Sequence, residues 1–345
     1  MIPIQNIYYM LSYAFQVLNE QGYKNIATEQ FNNTGELMAA ILEKGIAIQI
    51  KRGLGKEYIP QTEALSSLRG KIDIAESIKT QSMLRKQLIC TYDEFSVNSI
   101  MNRIIKSTVE LLLRSNISKQ RKKNLRKLMV YFSEVDFIDL HTVNWNVQYN
   151  RNNQTYRMLI SICYLVVKGL LQTQSNGHTK LMDFLDEQRM CRLYEKFILE
   201  YYRREFKNQI TANTSQIPWQ LDNEENSLLP VMQSDIMLQS GEKVLIIDAK
   251  YYEHSTQVQF DKHTLHSGNL YQIFTYVKNK EYELREKDHT VSGMLLYAKT
   301  DEAIYPNNVY QMSGNQITVR TLDLNLSFDE IAGQLNTIAK THFDL

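Results

Sequence analysis

The sequence predicts a chain of mixed α and β class (α+β or α/β) in two parts. Residues 1–150 read as helices with short strands, and residues 151–345 as a mixed β-sheet flanked by helices. Three observations predict this. Two apolar runs joined across a glycine, SDIMLQSGEKVLIIDAKYY (Ser234–Tyr252), alternate as the strands of a hairpin do. Helical periodicity brackets them, in CRLYEKFILEYYRREF (Cys191–Phe206) before and in SGNLYQIFTYVKN (Ser267–Asn279) after. The asparagine-rich VNWNVQYNRNNQ (Val143–Gln154) marks an exposed loop or boundary between the parts.

In the first part, apolar residues at three- and four-residue spacing predict helices at 4–19, 35–49, 98–115 and 119–132. Between them EYIPQTE, LRGKIDI and LICTYDEF, within residues 56–97, read as short strands. KRGLGKE (Lys51–Glu57) lacks the G-x4-G spacing of a phosphate loop and has Glu57 where a magnesium-binding Ser or Thr is needed, so no nucleotide is expected to bind this chain. In the second part, helices are expected near 155–172 and 184–206. Then come the hairpin, a helix at 267–279 capped by Ser267, strands at 291–298 and 308–324, and a final helix.

Composition narrows the classes. A chain of 345 residues with 43% hydrophobic content can bury two cores. No secretory signal is evident, and the longest apolar stretch, MLISICYLVVKGLL from Met158, is broken by Lys168 and too short to span a bilayer. Cys90, Cys163 and Cys191 are odd in number and widely spaced, which suits reduced thiols in a cytoplasm. His254, His263 and His266 lie close together but lack the cysteine partners of a zinc cluster. Net charge is +1, with 19 basic against 14 acidic residues up to 150 and 20 against 24 beyond, so the second part needs local basic patches, a metal or a partner to face nucleic acid. Arg203, Arg204 and Lys207 form one such patch. RSNISKQRKKNLRKL (Arg114–Leu128), with seven basic and no acidic residues, is either a solvated helix face or a contact for DNA or a partner.

The hairpin carries the chemistry. With Gly241 at the first central turn position, residues whose numbers sum to 483 oppose each other, and Asp235 and Asp248 form such a pair. Their Cβ atoms are then about 4.5–5.5 Å apart, with Lys250 on the same face. The opposite face reads Ile236/Ile247, Leu238/Leu245 and Met232/Tyr251, a core face. Opposed carboxylates stay ionised only around a cation, which outlines a hard, oxygen-rich site for magnesium or manganese, with the lysine placed to orient a water and help deprotonate it. A solvated strand face with a cross-strand salt bridge satisfies the same spacing.

Joined to Gln272 and Tyr276, one turn apart on the following helix, the set D-x12-D-x-K and Q-x3-Y resembles the PD-(D/E)xK nuclease superfamily, in its branch with a RecB-like helix after the catalytic strands. The resemblance implies that Asp235, Asp248 and the backbone carbonyl of Ala249 bind magnesium, that Lys250 assists the attacking water, and that Gln272 and Tyr276 lie near the site. Ser234 stands where the family name has proline. Such nucleases often direct a glutamate of the preceding helix at the metal; Glu195 is the candidate here, with Glu200 behind it, and either also fits a solvated helix face.

IPIQNIYYMLSYAF (Ile2–Phe15), SSLRGKIDIAESI (Ser66–Ile78), NRIIKSTVELLL (Asn102–Leu113) and the DAKYY run are together similar to the McrC family, the nuclease subunits of modification-dependent McrBC restriction systems. That resemblance implies a magnesium-dependent, type IV DNA endonuclease subunit acting on double-stranded DNA with modified cytosine. It also implies a partner, an McrB-like AAA+ GTPase hexamer engaged and stimulated by the 1–150 part. The alternative is a non-catalytic adaptor or activator of that ring.

Overall fold

A computed structural model describes the chain except residues 1, 20–22, 24, 25, 27, 28, 30, 32, 152, 176–186, 223–227, 253–256, 260, 261 and 300–304. Two compact units divide it, Met1–Ala27 with Leu185–Leu345, and Thr28–Phe184. The division falls elsewhere than the expected cut after residue 150. The first helix, α1 (Ile4–Ala14), belongs with the later residues, and 151–184 belong with the unit that precedes them.

The Thr28–Phe184 unit contains α2 (Thr34–Arg52), β1 (Glu57–Leu65), β2 (Lys71–Asp73), α3 (Ile74–Lys79), β3 (Leu88–Ser96), α4 (Ile100–Arg114), α5 (Lys119–Met129) and α6 (Tyr156–Ser175). Helix α6 packs on α2 and α4, which is why the residues after 150 stay with this unit. Asn33, Ser99 and Ser118 cap α2, α4 and α5 by accepting from main-chain N–H groups that the helix itself leaves unpaired. The strands form an antiparallel sheet in the order β1-β3-β2. Its root is pinned by Asn102, whose side chain donates to Gly55 O and Val97 O and accepts from the Tyr156 hydroxyl at 2.8 Å. In the basic run, Arg114 pairs with Glu110, and Arg121 reaches Glu29 and Glu43 at 2.8 and 2.9 Å. These two contribute to the fold of this unit.

The other unit continues after α1 with α7 (Glu187–Glu205), β4 (Thr211–Asn213), β5 (Gln216–Ile217), β6 (Met232–Gln233), β7 (Ile236–Ser240), β8 (Lys243–Lys250), β9 (Gln257–Gln259), β10 (Lys262–Thr264), α8 (Ser267–Glu283), β11 (Thr290–Ala298), β12 (Asn308–Met312), β13 (Asn315–Leu322) and α9 (Phe328–Phe343). Its mixed sheet runs β12-β13-β11-β8-β7-β4, with β8, β11 and β13 parallel and the rest antiparallel. Helix α8, the crossover between β8 and β11, covers one face. There Met237, Val244 and Ile246 pack with Ile273, Tyr276 and Val277. Ile236, Leu238, Leu245 and Ile247 are buried on the other face, where α7 packs on β4, β7 and β8. Helix α1 lies on α7, which explains its assignment to this unit.

Several expectations are corrected here. The run 308–324 is a hairpin, because Ser313 and Gly314 both take positive φ (50° and 91°), the two-residue turn that matches strand twist. Ser267 is the first helical residue; His266 holds the cap position without a side-chain capping bond. Met232 packs in the cluster beneath α8, because β6 pairs with β5 in a separate sheet and Ser234–Asp235 interrupt the strand before β7.

Gly293, on β11 between Ile246 and Ile317, lets α8 approach closely. A Cβ there would lie 2.8–2.9 Å from Ile273, Ile317 and Val277 side chains. Gly293→Ala is therefore expected to destabilise the protein by about 1–3 kcal/mol, read as a lower denaturant midpoint at unchanged m. An unchanged midpoint would show that α8 can shift freely.

Candidate active site

The turn places the hairpin in the expected register. Gly241 alone of the central pair has positive φ (56°), and Ile236↔Ile247 through Ser240↔Lys243 all sum to 483. Asp235 and Asp248 stand one step beyond the last paired residues. Asp235 Oδ2 accepts from the Ala249 N–H at 3.0 Å, so one carboxylate closes the ladder where β7 ends.

Asp248 is 1% exposed, and among the described residues neither of its carboxylate oxygens has a hydrogen-bond partner. Lys250 Nζ lies 2.9 Å from Asp248 Oδ2, a charge contact without hydrogen-bond geometry. Burial pushes the Asp248 carboxyl up to about 7; Lys250 pulls it down and the negative charge of Asp235 pushes it up again. For Lys250 burial works downward, but the Asp248 carboxylate outweighs it and the pKa is raised. Lys250 is thus held as an ammonium, a donor that can orient a water or a phosphate oxygen.

Helix α8 continues this line of contacts. Lys250 Nζ donates to Gln272 Oε1 at 3.4 Å, and Gln272 Nε2 donates to Tyr276 Oη at 2.9 Å. The one-turn spacing of Gln272 and Tyr276 on a helix lying over the Asp face produces this relay. Beside it Asn269 donates to Tyr297 Oη at 2.9 Å and accepts from the Tyr252 hydroxyl at 3.4 Å.

From α7, the Glu195 carboxyl is raised by burial and by the charge of Asp235, and lowered by Cys191, Lys250 and Arg192, so it shares a field with Asp235 and Lys250. Cys191 lies between helix and strand, donating to Glu195 Oε1 at 3.1 Å with Ala249 O 3.9 Å from its sulfur. Sequence reasoning missed Cys191 and Asn269. Their spacings to Glu195 (i, i+4) and Gln272 (i, i+3) were available signals. Glu200 pairs with Arg203 at 2.7 Å, and Arg203 also donates to Ala212 O, so these two tie α7 to β4. Arg204 pairs with Glu205 and lies over the Tyr13 ring. Ser234, in the place of the expected proline, is buried and bonds Ser215 through its N–H. His254 lies outside the described residues, and the His266 ring packs on Tyr252.

Among the described residues no three His, Cys, Asp or Glu side chains are grouped as a ready metal cluster. The donors that suit a cation are instead the two aspartates and a main-chain carbonyl. A buried carboxylate facing a second carboxylate, with the Lys250 ammonium beside it, offers the hard oxygen donors that a divalent ion takes.

Residues 5–298 match the family described as McrBC 5-methylcytosine restriction system component. The chain belongs to that family. It is 32% identical over 335 residues, covering 94% of this chain and 93% of the relative, to the type IV methyl-directed restriction enzyme EcoKMcrBC of Escherichia coli K12. Two solved structures from Thermococcus gammatolerans are also similar. One, a half-complex of McrB AAA+ hexamers with bound McrC, matches at 18% identity and TM-score 0.48 over 97% of this chain and 76% of that one. The other, a McrBC complex, matches at 21% identity and TM-score 0.42 over 59% of each. The family match takes in α7, the acidic hairpin, α8 and β11, so every candidate site residue of this McrBC family chain lies inside it. No helix among the described residues is long and apolar enough to cross a membrane.

Proposed function

We propose that this chain is the DNA-cleaving subunit of its restriction system, a PD-(D/E)xK endonuclease hydrolysing phosphodiesters in double-stranded DNA that carries modified cytosine. The observation that carries this reading is Asp248, a buried carboxylate set beside Asp235 and in contact with the Lys250 ammonium at 2.9 Å. A purely structural strand has no need of it, since burying a carboxylate beside a second one costs stability even with the Lys250 ammonium in contact. Asp235, Asp248 and the Ala249 carbonyl would hold magnesium, or manganese, with Glu195 at the edge of the set. When bound, that ion supplies charge neutralisation at the phosphate and a more acidic water. Lys250 orients the attacking water or a phosphate oxygen by donation. Gln272 holds Lys250 in place, and Tyr276 holds Gln272.

The proposed partner is an McrB-like AAA+ GTPase hexamer, whose hydrolysis this chain stimulates through the Thr28–Phe184 unit. The support there is a solvent-facing apolar patch on the three-stranded sheet. Tyr58 and Phe95 oppose each other in register, are 72% and 55% exposed, and are in contact, with ring centroids 5.0 Å apart and planes tilted by 37°. Joint Tyr58→Ala and Phe95→Ala substitution is expected to reduce GTPase stimulation by about tenfold or more, as loss of aromatic anchors does. Undiminished stimulation would move the contact elsewhere.

The deciding experiment combines the chain, its GTPase partner, GTP, magnesium and methylated plasmid. Cleavage is expected only with all five and to cease with a chelator. Stimulated GTP hydrolysis with no cleavage under any divalent metal would favour the adaptor reading, to which the absence of a three-side-chain cluster among the described residues lends its weight.

A further inference from the structure

Central parallel strands are ordinarily apolar on both faces. Strand β11, between β8 and β13, departs from this. Val291 and Leu295 join the core under α8, but Thr290 and Ser292 point the other way, and on β13 Thr318 and Arg320 share that side. Ser292 and Thr318 are buried polar residues. A cleft of about 380 Å³ opens there against α9, lined by these four together with Lys243 and His342.

The cleft is rich in donors. Arg320 has no carboxylate partner among the described residues. Lys243 and Asp344 pair with each other at the mouth, so Arg320 leaves the cleft net positive. Thr318 Oγ1 accepts from Gln316 Nε2 at 3.3 Å, which leaves its own proton to donate. His342, whose ring bonds the Val244 backbone and is kept neutral by burial, closes one wall of the cleft, its Nε2 without a hydrogen-bond partner among the described residues. Lys243 is at the far end of β8 from Asp248, about 17 Å along the strand, and the cleft is on the face away from α8, so it is separate from the candidate active site.

We propose that this cleft is a phosphate-binding site. A guanidinium and hydroxyl donors converge, and phosphate, with several acceptor oxygens, can engage all of them, whereas a carboxylate has fewer sites to offer. The phosphate can be carried on a DNA end or on a free nucleotide, and the competition arms below separate these sources.

The test uses the full chain and phosphorus-31 NMR of inorganic phosphate. Saturable line broadening is expected for wild type. Arg320→Ala should weaken it about tenfold or more, the scale of a lost hydrogen bond to a charged group. Thr341→Glu, at an exposed position on the cleft rim, should do the same by repulsion without touching the core. A 5′-phosphorylated oligonucleotide should displace phosphate while its unphosphorylated twin does not, if the source is a DNA end; displacement by GMP and not by the oligonucleotide identifies a nucleotide. Equal broadening in wild type, Arg320→Ala and Thr341→Glu, or equal displacement of phosphate by both oligonucleotides, or no displacement by either the 5′-phosphorylated oligonucleotide or GMP, overturns the assignment.

Discussion

Asp248→Asn is expected to eliminate DNA cleavage, lowering the rate by roughly 10³-fold or more. Losing a ligand to the proposed ion forfeits several kcal/mol of charge stabilisation in the transition state. The substitution keeps the size of the side chain and leaves β8 and its neighbours in register, so the variant should still bind the GTPase ring and raise its GTP turnover. Asp235→Asn should also abolish cleavage. Its effect on stability differs, since Asp235 accepts from the Ala249 N–H, a bond an amide oxygen can still accept. Cleavage by either variant at the wild-type rate, under magnesium, would remove the acidic pair from the chemistry. Loss of ring stimulation together with cleavage would point to a folding defect, and circular dichroism would reveal it.

Lys250→Ala is expected to have two separable effects. Cleavage should fall by about 10²–10⁴-fold, the usual contribution of a group that positions or protonates a reacting oxygen. Stability should fall as well, because Asp248 loses the Lys250 ammonium that contacts it, and breaking a buried pair from one side costs roughly 3–5 kcal/mol. The sign of the pH dependence follows from burial. A carboxyl whose folded pKa is raised above its unfolded value retains its proton in the folded state over that interval, so stability declines as pH rises through it. Removing Lys250 removes a downward influence on that pKa. The melting temperature of Lys250→Ala should therefore decline more steeply than wild type between about pH 5 and about pH 8. Adding Asp248→Asn should restore the stability and flatten the slope without restoring cleavage. Parallel pH profiles for wild type and Lys250→Ala would mean that the two groups do not share a field.

Much of the site was legible because its determinants are local. The opposition of Asp235 and Asp248 follows from one glycine at positive φ and a side-chain period of two, and Gln272 and Tyr276 share a face through the helical repeat. The same local logic misjudged 308–324, where alternation continues across Ser313–Gly314 and conceals a turn. It also misjudged Met232, since alternation is unbroken through Ser234 although pairing passes from β5 to β8.

By itself the sequence determined the mixed α and β class, the hairpin register and the residue types that could meet on its polar face. These depend on backbone geometry over a few residues, and side-chain spacing reports that directly. Tertiary structure alone decided that α1 joins the unit of residues 185–345 and that 151–184 do not, that Arg203 claims Glu200 while Glu195 shares a field with Asp235, and that Cys191 of α7 comes to lie beside the carbonyl of Ala249. It also decided that Asp248 is buried with the Lys250 ammonium beside it, so the face that D-x-K spacing left open is not a solvated salt bridge. Burial and field at a residue are set by which distant segments pack against it, and the periodicity of a segment carries no record of the partner that covers it.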